Sequence, residues 1–259
     1  MSEHSKSPEQ YKPEFVRLKC CVLIPTYNNA AKIEAVIQDV LQYTDDVVVV
    51  NDGCTDNTNE IVAKFPQIKS IEHAKNQGKG IALRTGFRFA LSKGYHYAIT
   101  IDSDGQHKAI DLPAFLGQLE TYKNTIFIGS RDMGQASVPG KSSFGNKFSN
   151  FWFKVNTGIN APDTQSGYRL YPLIPLQKMK FITWRYEFEI EVLVRASWSG
   201  MEISSVPIDV YYPPKDERIS HFRPFKDFTR ISLLNTVLVT MAVLYYIPLR
   251  FLSGLKKKI

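Results

Sequence analysis

The stretch Ile99-Thr100-Ile101-Asp102-Ser103-Asp104-Gly105-Gln106-His107 runs an apolar strand straight into two carboxylates and turns on a glycine. Taken alone, it reads either as a capped surface turn or as a metal site awaiting an anionic ligand. The residues on either side of it decide between the two. Cys20–Pro25 is a β-branched, apolar run, and Ala30–Tyr43 then spaces Ile33, Val36, Ile37, Val40 and Leu41 as one face of a helix. Asp46–Asn51 reads as a second buried strand. Thr55, Asp56 and Asn57 can cap a helix beginning near Thr58. Ile68–His73, Tyr97–Asp102 and Thr125–Ser130 read as further strands, with helices over Gly80–Leu91 and from Asp111 to about Lys123 between them. Strands alternating with helices in this way predict an α/β fold, a Rossmann-like and mostly parallel sheet flanked by helices.

In such sheets ligands gather at the carboxyl ends of the strands. That edge is where the unusual residues fall. Strand one ends in Pro25-Thr26-Tyr27-Asn28, strand two in Asn51-Asp52-Gly53, strand four in Asp102-Ser103-Asp104, and the fifth in Gly129-Ser130-Arg131. Asp102 and Asp104 together hold Mg²⁺ or Mn²⁺ weakly and leave coordination positions open for diphosphate oxygens, with Gln106 as a neutral oxygen ligand two residues on. A cation so held acts as a Lewis acid on a departing diphosphate.

The second half is looser. Asp132–Gly158 mixes loop signals with an aromatic, basic, helix-like stretch, Tyr186–Gly200 reads as a helix ended by Gly200, and Met201–Tyr212 as a strand stopped by Pro213-Pro214. The net charge is +7, and from Lys215 onward nine Lys/Arg stand against three Asp/Glu, so the tail carries most of it. A basic tail on a near-neutral body points to a local anionic partner: a membrane surface, a phosphate-bearing substrate or nucleic acid. Ile231–Leu252 is mostly apolar, at the borderline of the ~20 residues a spanning helix needs. A weak polar stripe through Ser232, Asn235, Thr236 and Thr240 fits equally a helix lying in the interface. The polar N-terminus lacks an apolar signal core and is expected to be a flexible lead-in over residues 1–17. Residues 18–214 would be the catalytic domain and 215–259 a membrane-associated tail. Cys20, Cys21 and Cys54 have no metal-binding spacing and read as free thiols.

Four of these segments, Val22–Asn29, Val48–Thr58, Asn76–Phe87 and Ile99–His107, resemble in order and spacing the opening pattern of family 2 glycosyltransferases, nucleotide-diphospho-sugar transferases of the GT-A fold. Ile128–Asp132 and Asp163–Pro172 are similar to the dolichyl-phosphate-mannose synthase-like branch, which glycosylates polyprenyl phosphates. The resemblance covers roughly Cys20 to Tyr212. It implies that Pro25, Tyr27 and Asp52 surround the nucleotide, with Lys79 nearby. It implies that Asp102, Asp104 and Gln106 hold the diphosphate through Mg²⁺ or Mn²⁺, and that Arg131 and Arg169 face phosphate groups between donor and acceptor. Glu189 falls where hydroxyl-transferring relatives place a base.

The implied activity is an inverting transfer from GDP-mannose or a UDP-sugar to a lipid acceptor at the cytoplasmic face of a membrane, most simply polyprenyl phosphate. The alternative is a lipid or glycan hydroxyl with Glu189 as general base. A nucleic-acid partner is not expected, because it would have no use for D-x-D at a strand end. Asn29, Asn51 and Cys54 depart from the family's glutamate, aspartate and serine, which bears on base selectivity more than on fold. The Ser-Lys pair of related lipid-phosphate enzymes is replaced around His221, so the acceptor phosphate would be met by Arg218, Ser220, Arg223 or Lys226.

Overall fold

The computed structural model describes residues 6–132, 140–212, 224–246 and 248. Seven strands form one sheet in the order β3-β2-β1-β4-β6-β5-β7. They are β1 (Cys20–Thr26), β2 (Val47–Asn51), β3 (Lys69–Glu72), β4 (Tyr97–Thr100), β5 (Thr125–Arg131), β6 (Arg169–Pro172) and β7 (Glu202–Ile208). All neighbours run parallel except β6, which is antiparallel to β4 and to β5. β1 and β2 are buried along their whole length, as the unbroken apolar runs predict for strands covered on both faces.

The helices are α1 (Lys12–Leu18), α2 (Ala30–Leu41), α3 (Thr58–Val62), α4 (Lys79–Ser92), α5 (Leu112–Leu116), α6 (Gly140–Thr157), α7 (Leu173–Gln177), α8 (Phe188–Trp198) and α9 (Pro224–Met241). Two apolar clusters fill the two faces of the sheet. One is built from α2, α5 and the inward face of β1 and β2, the other from α4, α8 and α9. α4 lies directly on β1 because Gly86 presents no side chain there; a Cβ would run into Leu23. Asp56 serves two helices at once, with Oδ1 accepting from the Thr58 amide (3.1 Å) and Oδ2 from the Ala30 amide (3.0 Å).

Three features add detail to the expected mostly parallel sheet and its flanking segments. The lead-in over residues 1–17 is not loose where it is described: a 3-10 turn at Pro8–Tyr11 leads into α1, and Phe15 is fully buried against the sheet. The short strand β6 interrupts the parallel pattern between β4 and β5; only four residues long, it lacks the length that makes a strand legible in sequence. Within the expected tail, Leu234 and Leu238 of α9 are buried in the same cluster as Leu193 and Val194 of α8.

Candidate active site

The carboxyl ends of β1, β2, β4 and β5 and the first residues of β6 converge with the N-termini of α4 and α8. Asp52 sets up the first wall. Its carboxylate accepts from His73 Nδ1 (2.8 Å), Asn76 Nδ2 (3.0 Å) and the amides of Gln77 (2.9 Å) and Gly78 (2.7 Å). It is an anionic anchor for the otherwise unpaired donors at the start of α4. The glycine beside it is required: Gly53 has φ +70°, and a Cβ would collide with the Lys75 backbone. The sequence reading placed Asp52 against the nucleotide. In the structure its acceptor positions are taken by the 73–78 loop, which it holds in place.

That loop aims Lys79, the first residue of α4. The Lys79 ammonium lies 2.7 Å from Asp102 Oδ1, 3.0 Å from Asp102 Oδ2 and 3.0 Å from Glu189 Oε1. It also stands 6.0 Å from the ring centre of Tyr186. Burial opposes the lysine's charge, yet Asp102 and Glu189 together hold its pKa above the ordinary value. Burial would likewise raise Asp102, but the Lys79 ammonium keeps it below the usual carboxylate range. Among the described residues Asp104 has no such ion-pair partner. Burial, and then the neighbouring Asp102 charge, push it up to about 6.

Asp102 and Asp104 are hard oxygen donors side by side, and among the described residues no group of three or more His, Cys, Asp or Glu closes around a metal position. This donor set fits an open Mg²⁺ or Mn²⁺ site that needs oxygens from a ligand to complete it. The charge crowding at Asp104 is what a cation there would relieve. Gln106 is partly exposed; its amide donates to Asp104 Oδ1 (3.0 Å) and its carbonyl accepts from the Tyr211 amide (2.9 Å). His107 is buried against Tyr168, and burial pushes its pKa down to about 4, so it is neutral beside the carboxylates at pH 7. Pro25 is buried at the end of β1, Tyr27 is half-buried beyond it, and Asn29 Nδ2 donates to Ser103 Oγ (3.0 Å), tying the first loop to the D-x-D turn.

The two arginines separate. Arg131 is gripped by Asp163, with Nε to Oδ2 at 2.6 Å and Nη2 to Oδ1 at 2.9 Å, at the rim of an open cavity of about 510 Å³ also lined by Ser130, Asp132 and Asp209. Arg169 is fully buried. It donates to the carbonyls of Ser166 (2.6 Å), Thr164 (2.9 Å) and Glu189 (2.7 Å) and to Tyr171 Oη (3.1 Å). It therefore braces the 164–166 turn and the first turn of α8 and does not face phosphate as expected. Its position at the start of an unforeseen antiparallel strand explains the difference. Glu187, Glu189 and Glu191 are all buried, although their alternation keeps them off one helical face. Glu191 accepts from the Ile182 and Thr183 amides and from Arg195, and only Glu189 reaches the site.

Sequence reading missed Asp163 and Tyr186. Asp163 stood in a quoted motif, and its partner is 32 residues upstream, beyond any local pattern. The suggested acceptor-phosphate residues Arg218, Ser220 and Arg223 lie outside the described residues, and Lys226 is exposed on α9.

The profile of glycosyl transferase family 2 matches residues 21–178. The UDP-N-acetylglucosamine–dolichyl-phosphate N-acetylglucosaminyltransferase of Methanococcus voltae is 27% identical over 213 residues, covering 74% of this chain and 85% of that one. The undecaprenyl-phosphate mannosyltransferase of Micrococcus luteus is 26% identical, covering 74% and 83%. Glucosyl-3-phosphoglycerate synthase from Mycobacterium tuberculosis, in complex with Mn²⁺, UDP and phosphoglyceric acid, superposes with a TM-score of 0.66 at 17% identity, covering 93% of this chain and 84% of that chain.

Proposed function

The chain belongs to glycosyl transferase family 2, and from that premise we propose that it transfers a sugar from a nucleotide-diphosphate sugar, GDP-mannose or a UDP-sugar, to polyprenyl phosphate at the cytoplasmic face of a membrane. The relatives named for dolichyl- and undecaprenyl-phosphate acceptors support the acceptor class. The single observation that carries the reading is the Lys79 ammonium held between Asp102 and Glu189. It neutralises Glu189, the carboxylate that falls where hydroxyl-transferring relatives place a base. A hydroxyl acceptor needs that base free, whereas a phosphate monoester brings an oxygen that is already anionic at neutral pH.

The reaction proceeds by direct attack. A lone pair of the acceptor phosphate oxygen forms the new bond to the anomeric carbon, and the bond to the donor diphosphate breaks with its electron pair leaving on the diphosphate. Attack from the opposite face inverts the anomeric configuration. Asp102 and Asp104 would hold Mg²⁺ or Mn²⁺, which supplies positive charge to the leaving diphosphate when bound. Lys79 supplies a second, fixed positive charge against the same group. Asp52 keeps the loop that presents Lys79 rigid, and Asp163 holds the Arg131 guanidinium at the cavity rim on the acceptor side.

The test is product analysis. Incubation with polyprenyl phosphate and a panel of labelled UDP- and GDP-sugars should give a labelled, mild-acid-labile lipid with one donor. Transfer only to glycan or lipid hydroxyls would replace this reading with the alternative one.

A further inference from the structure

We propose that α9 lies flat on an anionic membrane surface without crossing it, and that the outer face of α6 docks beside it as part of the same lipid-binding surface. The inference rests on the lipid-acceptor reading and fixes how the protein would sit on the bilayer.

Lys226–Tyr246 is long and apolar enough to cross a membrane, with a mean hydropathy of 1.5 over its most apolar 18 residues. Yet the catalytic domain accompanies it from end to end. Near its start the Phe228 ring packs on Phe148 of α6 at 5.0 Å. In the π-helical turn Ala242–Tyr246 that continues α9, Tyr246 stacks on Trp198 of α8 at 5.2 Å, and its hydroxyl donates to the Ser197 carbonyl at 3.4 Å. Between them Leu234, Leu238 and Ala242 are buried. At 1.5 Å per residue, Phe228 to Met241 is about 20 Å, and the π-helical turn carries the helix further toward the ~30 Å of a hydrocarbon core. Inserting the helix across a bilayer would carry the polar end of α8, with Ser199 and Gly200 exposed, into hydrocarbon.

The outer stripe of α9 suits shallow insertion. Leu233 and Leu244 are 66% and 74% exposed. Thr236 and Thr240 on the same stripe donate their hydroxyls to the Ser232 and Thr236 carbonyls (3.1 and 2.8 Å), so both are satisfied within the helix. The ring of Phe148 also meets Trp152 (6.2 Å), which meets Phe151 (5.3 Å). This ring chain joins α9 to the exposed Phe151 and Val155 of α6, with Lys147 and Lys154 on either side.

Charge identifies the occupant. Gly140–Thr157 contains no Asp or Glu, and the one acid in Lys226–Tyr246, Asp227, is buried. Among the described residues, the exposed charged side chains of α6 and α9 are cations, set among apolar side chains, the pairing an anionic bilayer surface satisfies.

The full chain should co-sediment with phosphatidylcholine vesicles containing phosphatidylglycerol, bind weakly to phosphatidylcholine alone, and be released from vesicles by alkaline carbonate. The double variant F151D/V155D should bind the anionic vesicles about tenfold less, with an unchanged thermal midpoint and unchanged transfer to detergent-dispersed polyprenyl phosphate. Carbonate-resistant binding would show that the helix spans. Full vesicle binding by F151D/V155D would remove α6 from the surface. A change from oligomer to monomer in that variant, with vesicle binding intact, would assign the face to a second copy. Vesicle binding by a wild-type chain that transfers no sugar to polyprenyl phosphate would end the acceptor reading and still support the docking surface.

Discussion

The Lys79 ammonium stands 2.7 Å from Asp102 Oδ1, which joins the first turn of α4 to the end of β4. The pair is set by backbone geometry on both sides. Asp52 holds the amides of Gln77 and Gly78 immediately before the lysine, and the sheet fixes the aspartate. Since Glu189 is also in contact with Lys79, one cation connects the D-x-D turn to α8.

Lys79→Met should leave the half-buried Asp102 and the buried Glu189 without their counter-ion. Removing one partner of such a group costs about 3–5 kcal/mol. Urea denaturation should show a loss of that order, and the transfer rate should fall at least 100-fold. Adding Glu189→Gln to Lys79→Met should recover part of the stability, because it removes one of the stranded charges. Strict additivity of the two would show that the pair is not coupled.

Glu189→Gln alone separates the acceptor classes. With a phosphate acceptor the rate should drop less than about tenfold, since the side chain only orients Lys79. A general base is worth about 10²–10⁴, so a collapse of that size would identify a hydroxyl acceptor.

Gly167→Ala probes the same pair from the other side. A Cβ there would sit 2.6 Å from Asp102 Oδ2 and 2.9 Å from Lys79 Nζ. Both are ends of side chains that shift without unfolding the protein. The thermal midpoint should change little while the rate falls about 100-fold, the usual scale for displacing a positioned group by about an ångström. Unchanged kinetics would mean that the observed pair geometry is not needed.

Asp104 gives a pH prediction. Raised to about 6, it is protonated and neutral below that pH and anionic above it. A cation binds only the anionic form, so metal-dependent transfer should fall as pH drops through about 6. Raising Mn²⁺ should move the midpoint lower, because cation and proton compete for the same oxygen. An acid limb unaffected by metal concentration would assign it to another group.

Arg169→Lys should act on stability more than on substrate binding. The lysine cannot reproduce the bonds to the Ser166, Thr164 and Glu189 carbonyls. A loss above about 3 kcal/mol in denaturant titrations is expected, with little change in acceptor KM for the folded fraction. A selective rise in acceptor KM would restore a phosphate-facing role.

The sequence by itself determined the alternation of strands and helices, the polar edge at the strand ends, the D-x-D turn and the apolar, basic character of the tail. Each is a local pattern, written in periodicity and in neighbours a few residues apart. Only the tertiary structure decided which charges meet. Lys79, Asp102 and Glu189 are far apart in the chain, and three elements must pack before they share one position. The same holds for the antiparallel β6, which turned Arg169 inward, for the clasp that occupies Asp52, and for the packing of α9 along α8. Burial is the physical reason. A side chain's charge and shape are fixed by its identity, but whether it faces solvent, ligand or another side chain depends on what covers it, and that cover comes from distant parts of the chain.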